Sequence, residues 1–205
     1  MERFIAQIGW LILVYIIGSL PFGLLVARMA KGIDPRLSGS NNTGATNVAR
    51  TCGTRYGVLT FALDMLKGLL PVLFAMGIST SPVFLSLTAL AALIGHMYSV
   101  FLNRKGGKGV ATTIGIFAAL TPAPLFWALI LCLILIWTTG YISLGSLTLA
   151  GSLPIFVIVF LDWPYLVLSL LVMLLIYGKH RENIVRLARG EEKTWRSSPA
   201  ETEHA

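Results

Sequence analysis

Residues 110–139 read VATTIGIFAALTPAPLFWALILCLILIWTT, and whether they form one helix or two decides the architecture. A single helix over these positions would rise about 45 Å at 1.5 Å per residue, too long for a hydrocarbon core of roughly 30 Å. Pro122 and Pro124 supply the break, because a proline lacks the amide hydrogen a helix interior needs and its ring clashes with the preceding turn. The stretch divides into a short crossing over 110–120 and a longer one over 125–139. The run 142–178 poses the same question, and Asp162 with Pro164 places a turn inside it, giving 142–161 and 163–178. With the apolar runs 4–27, 57–77 and 83–102, the sequence predicts seven crossings. The expected fold is an all-α integral membrane protein with seven transmembrane helices.

Composition agrees with that reading. Of 205 residues, 56% are hydrophobic and only 12% charged, whereas soluble domains carry about 25% charged residues. The mean hydropathy is +0.79. A secreted disulfide scaffold, a disordered chain and an ordinary cytosolic enzyme are excluded. Cys52 lies in a polar stretch and Cys132 in an apolar run, which suits neither a bridge nor a metal cluster. No metal ligands are expected.

Charge then orients the chain. The formal charge of +7 comes from 16 Lys and Arg against 9 Asp and Glu, a surplus that speaks for topology and anionic headgroups before nucleic acid. Seven crossings put the polar stretches 28–55, 103–109 and 179–205 on one side, and these hold 14 of the 16 basic residues. The positive-inside rule makes that side the cytoplasm, with the N-terminus outside and the C-terminus cytoplasmic. Six crossings would carry the basic tail to the far side, and five would need two overlong helices. The first run is read as an uncleaved helix, since its basic residues follow it. The expected organisation is one seven-helix domain over 1–190 and a mobile polar cytoplasmic tail over 191–205.

The three cytoplasmic stretches carry the chemistry. Ser38-Gly39-Ser40-Asn41-Asn42-Thr43-Gly44-Ala45-Thr46-Asn47, followed by Arg50, packs hydroxyls, amides and small residues ahead of a guanidinium, a set that suits phosphate. The plainer alternative is a polar turn that caps a helix. Lys105-Gly106-Gly107-Lys108-Gly109 opens the fourth crossing at Val110. It is not a P-loop, because Gly109 stands where Ser or Thr should follow the lysine. Glycines, lysines and a helix N-terminus together still make an anion site; a charged turn that only holds topology would explain the lysines and not the glycines. In Lys179-His180-Arg181-Glu182-Asn183-Ile184-Val185-Arg186-Leu187, a helix puts His180 and Asn183 on one face. A helix lying on anionic headgroups accounts for the arginines and leaves that pair unexplained.

Asp64 and Lys67, three apart in the second crossing, read equally as a neutralising pair and as catalytic groups, each charge costing about 3 kcal/mol there by insertion scales. His96 is read first as a hydrogen bond between helices.

These motifs, in this order, resemble the bacterial acyl-phosphate-dependent glycerol-3-phosphate acyltransferases, the PlsY-like family. The resemblance covers nearly the whole chain and extends to Asp64-x-x-Lys67-Gly68, Gly95-His96 and Gly140-Tyr141-x-Ser143-Leu144-Gly145. Thr43, Ser99 and Ile142 depart from the residues usual in that family. The resemblance implies acyl transfer from acyl phosphate to the 1-position of sn-glycerol 3-phosphate. The products are lysophosphatidate and phosphate, in the first acylation of phospholipid synthesis. It implies a bacterial inner-membrane enzyme with its active site on the cytoplasmic face. No cofactor and no nucleic-acid partner is expected, and the oligomeric state is left open, a monomer being one expectation. By role, Ser40, His180 and Asn183 would act on glycerol 3-phosphate. Arg50, Lys105 and Lys108 would neutralise phosphate, and the N–H groups of Gly106, Gly107 and Gly109 would cradle the acyl phosphate. Asn42, Thr46, Asn47 and Ser143 would support substrate. The His-x-x-x-x-Asp device of many acyltransferases is absent: Val185 follows His180 at that spacing and Phe101 follows His96. The proton would pass to the substrate's own phosphate, with His180 as the second choice of base. A phosphometabolite transporter and a non-enzymatic lipid-binding subunit are the competing classes. Against the first, transporter sites sit at mid-membrane between repeats, and no repeat is found.

Overall fold

The computed structural model describes residues 1–196, and the regular structure among them is entirely helical. The part of the expected tail from 197 to 205 lies outside the described residues. The chain forms two compact units, Met1–Leu120 and the residues from Thr121 onward. The first holds α1 (Glu2–Ser19), α2 (Phe22–Lys31), α3 (Ala45–Cys52), α4 (Thr54–Ile78), α5 (Pro82–Met97) and α6 (Val110–Leu120). The second holds α7 (Pro122–Thr139), α8 (Ile142–Val159), α9 (Leu166–Lys179) and α10 (Arg181–Arg189).

Among the described residues, five stretches are long and apolar enough to cross a membrane: Glu2–Lys31, Thr54–Ile78, Pro82–Leu102, Pro122–Thr139 and Ile142–Val159. A sixth arises if Trp163–Lys179 and Arg181–Arg189, bent by 62°, form one span. Val110–Leu120 is a shorter apolar helix, about 16 Å long at 1.5 Å per residue. The break expected near Pro122 is present, but α7 starts at Pro122 itself, since proline is at home in the first helical turn.

The first apolar run differs from expectation. It is two helices, with Pro21 between them. A helix that ends leaves its last carbonyls without their usual amide partners, and in a membrane interior other polar groups have to meet them. Here the Ser99 hydroxyl donates to the Ser19 carbonyl at 2.5 Å, and the Lys67 ammonium donates to the Leu20 carbonyl at 2.9 Å. Lys67 is ion-paired with Asp64 at 2.7 Å, and His96 Nδ1 stands 3.6 Å from the same carboxylate. All three side chains are buried. The Asp64–Lys67 pairing removes much of the cost of placing either charge alone among apolar helices.

Small residues bring the helices together, the usual solution where lipid offers no hydrophobic drive. A methyl group added at Gly18 would lie 2.3 Å from the Ala92 carbonyl oxygen, so α1 and α5 meet backbone to backbone. At Gly115 it would lie 2.0 Å from that of Met65, joining α6 to α4. Large apolar side chains, among them Phe74, Val83, Trp137 and Val167, instead point outward, as lipid-facing residues should.

Candidate functional site

In the first unit, Asn47 organises the 35–44 loop. Its carboxamide accepts from the Ser40 N–H at 2.7 Å and donates to the carbonyls of Pro35, Ser38 and Asn42 at 2.6, 3.1 and 2.9 Å. Gly39 has φ +67°, and a methyl group there would strike the Asn47 oxygen at 2.1 Å; only glycine fits the bend. Asn42 accepts from the Gly44 N–H at 2.8 Å, shaping the entry to α3. Asn47 is buried and its amide fully engaged, so it acts on the shape of the loop. Ser40 and Thr46 are half-buried, and Arg50 sits exposed in the last turn of α3.

The glycine turn requires one correction. The N–H groups of Gly106 and Gly107, expected to cradle a ligand, donate to the carbonyls of Met97 and His96 at 3.2 and 3.1 Å. These two glycines are needed for close approach: a methyl group at Gly106 would lie 2.0 Å from the His96 carbonyl oxygen, and one at Gly107 2.2 Å from His96 Nε2. The turn is thereby tied to the end of α5. Gly109, at φ +88°, delivers the chain into α6, whose first-turn amides are backbone donors an anion can use. Lys105 is exposed and Lys108 half-buried on this turn. Thr43 and Gly107 line one small cavity together with Asp64, Lys67 and His96. The loop and the turn thus both border the cavity that holds the buried charges.

In the second unit, His180 sits at the bend between α9 and α10. Its Nδ1 lies 2.8 Å from the Ile176 carbonyl. A carbonyl only accepts, so Nδ1 carries the proton and the lone pair of the neutral ring is on Nε2. Asn183, one turn on, donates to Glu192 at 2.6 Å, and Arg186 Nε donates to the same carboxylate at 2.7 Å. Ser143, at the start of α8, faces this carboxylate without a fully formed hydrogen bond. Beyond Glu192, the Trp195 N–H donates to the Gly140 carbonyl at 3.0 Å and Arg196 to that of Trp137.

Glu192 is a site neighbour that reading the sequence missed, because a Glu-Glu-Lys run after a helix looks solvated. Gly190, in the left-handed conformation at the end of α10, is the signal that the chain turns back. Burial alone would raise the Glu192 carboxyl, but the nearby Ser143 hydroxyl, the hydrogen bonds from Arg186 and Asn183 and the Arg186 charge outweigh it and hold the pKa below the usual 4.5. A carboxylate depressed in the folded state stabilises it above the unfolded pKa, and that contribution is lost as pH falls below about 4.5. Hydrogen exchange at the Trp195 amide, corrected for the intrinsic rate, should show protection at neutral pH that disappears on acidification. Glu192→Gln should lack it throughout. Full protection in that variant at neutral pH would refute the role.

The family model for glycerol-3-phosphate acyltransferase matches residues 8–190. A relative from Nitratidesulfovibrio vulgaris, named glycerol-3-phosphate acyltransferase, is 57% identical over 91% of this chain. This chain spans 57% of that protein's length. One of the same name from Solidesulfovibrio magneticus is 54% identical over 95% of this chain and 98% of its own length. Among solved structures, PlsY (YgiH), an integral membrane glycerol 3-phosphate acyltransferase, superposes in its glycerol 3-phosphate form with a TM-score of 0.89. The identity is 39%, over 93% of this chain and 96% of that one. Its lysophosphatidic acid form gives 0.85 at 40% identity over 92% and 95%. With its apolar helices and this neighbour, the chain is an all-helical, multi-pass integral membrane protein. The chain belongs to the glycerol-3-phosphate acyltransferase family.

Proposed function

We propose that this protein transfers an acyl group from acyl phosphate to the 1-hydroxyl of sn-glycerol 3-phosphate, releasing lysophosphatidate and inorganic phosphate. The observation that carries the reading is the immobilised glycine turn, which presents Lys105 and Lys108 ahead of the α6 N-terminus. Such a device suits a substrate whose phosphate must be held and then leave with more negative charge. The hydroxyl oxygen bonds to the acyl carbon while the anhydride C–O bond breaks, and the phosphate departs with its oxygen. The hydroxyl proton passes to the acceptor's own phosphate, or to His180 Nε2. An acyl phosphate is already activated, so a weak base suffices.

Lys108, Lys105, the Gly109 N–H and Arg50 are assigned to phosphate charge. Ser40, His180 and Asn183 are assigned to glycerol 3-phosphate, with Thr46 and Ser143 in support, and Asn42 and Asn47 shape the loop that carries Ser40. The relatives' names and the PlsY forms with glycerol 3-phosphate and lysophosphatidic acid support the acceptor and the product. Acyl phosphate as donor is what the family resemblance implies, and the anion-binding turn and the missing His-x-x-x-x-Asp pair are consistent with it.

For topology we propose seven crossings in the bacterial inner membrane. The five long stretches, Trp163–Lys179 and the short Val110–Leu120 supply them. The N-terminus lies outside and the three basic stretches face the cytoplasm. The test is product analysis: purified protein given palmitoyl phosphate and glycerol 3-phosphate should yield the 1-acyl isomer with one phosphate per ester. The 2-acyl isomer as the initial product, or ester without phosphate release, would refute the reaction.

A further inference from the structure

Behind the glycine turn, the buried charges have an arrangement that helix packing alone does not require. Lys67 on α4 is fixed at one end by the Leu20 carbonyl at the break between α1 and α2, at 2.9 Å, and at the other by Asp64, at 2.7 Å. Asp64 is in turn held through its backbone carbonyl by the Thr112 hydroxyl of α6, at 3.0 Å. His96 Nδ1 faces this carboxylate at 3.6 Å. The opposite edge of the ring is turned to Gly107, where all three nearest atoms to an added methyl group would be ring atoms, Nε2, Cε1 and Cδ2 at 2.2, 2.8 and 3.3 Å. The same residue's carbonyl accepts the Gly107 N–H at 3.1 Å.

We propose that His96 is a positioning residue: braced by Asp64 and Lys67, it presents its carbonyl and one ring edge to Gly107 and so fixes the turn that carries Lys108. This rests on the assignment of that turn to the acyl phosphate. The chain of contacts runs from a proline break in the first apolar run, through two charged residues, to the backbone of the anion turn. A charged pair deep among helices is costly, and a rigid mount for a phosphate-binding turn gives it a use. Misplacing a binding group by about 1 Å can cost a hundredfold in rate.

The test is a double-mutant cycle between His96 and Gly107. His96→Asn keeps an amide beside Asp64 and removes the ring edge from Gly107. It should keep its melting temperature within a few degrees while kcat/KM for acyl phosphate falls about tenfold. Gly107→Ala should lose about a hundredfold, since the methyl group and the ring compete for one space. In the double variant that space is vacant, so activity should return to the level of His96→Asn. Multiplicative losses would overturn the proposal, as would a His96→Asn protein that melts early with unaltered kcat/KM. Hydrogen exchange across 105–109, run on the same proteins, decides the mechanical part without turnover. Faster exchange at Gly106 and Gly107 in His96→Asn supports the mount, and unchanged exchange refutes it. Should wild-type protein show the mount by exchange yet no turnover with acyl phosphate, the donor assignment fails and the positioning role stands.

Discussion

Lys108→Ala protein inserts and melts normally but turns over acyl phosphate at least about a hundredfold more slowly. The expectation follows from where the lysine stands. Its neighbours Gly106 and Gly107 have spent their N–H groups on the carbonyls of Met97 and His96, so the turn offers fewer backbone donors than its glycines imply. The ammonium must then supply much of the charge that meets the departing phosphate. Arginine at this position keeps the charge and changes its shape from a point to a fork, so Lys108→Arg should recover part of the rate. Turnover at the wild-type rate in Lys108→Ala would remove the residue from the site.

Asp64→Asn should be the most destabilising single substitution in the first unit. The ion pair at 2.7 Å is buried on both sides, and removing one partner strands the other charge. Breaking a buried pair in this way costs about 3–5 kcal/mol. Lys67 would keep only the Leu20 carbonyl and the Phe22 ring face, 5.5 Å from its ammonium. Replacing both, as Asp64→Asn with Lys67→Met, strands no charge and should recover most of the loss. Thermal unfolding in detergent measures all three proteins. A change below about 1 kcal/mol for Asp64→Asn would show that the pair is solvated and not structural.

What could be read beforehand follows a physical divide. Pro122 and Pro124 announced a helix boundary because a missing amide is a local fact. Pro21 has the same local chemistry and went unread, because whether a membrane helix survives a proline depends on distant groups that meet the freed carbonyls. Those groups, Lys67 and Ser99, lie 47 and 80 positions away from the carbonyls they satisfy. The three glycines of the turn read, from the sequence, as part of an anion site. Their part in close approach was not legible, since an exposed N–H and a tight approach to another helix impose the same residue. Asn47 illustrates the same limit: its type suited a ligand, and its four hydrogen bonds make it the hub of its own loop. The spacing of His180 and Asn183 implied one face of a helix, whereas His180 stands at the bend and Asn183 in the first turn of α10; the carboxylate that gathers Asn183 with Arg186 comes from a segment whose composition looked like solvent.

The central claim is the donor, and one comparison tests it. Detergent-purified protein is mixed with labelled glycerol 3-phosphate and, in separate reactions, palmitoyl phosphate, palmitoyl-CoA or palmitoyl-carrier protein. Lysophosphatidate is expected with palmitoyl phosphate and with neither thioester. Product from the thioesters alone would contradict the assignment of the glycine turn to an acyl phosphate. No product from any donor, in folded protein, would contradict the enzyme itself.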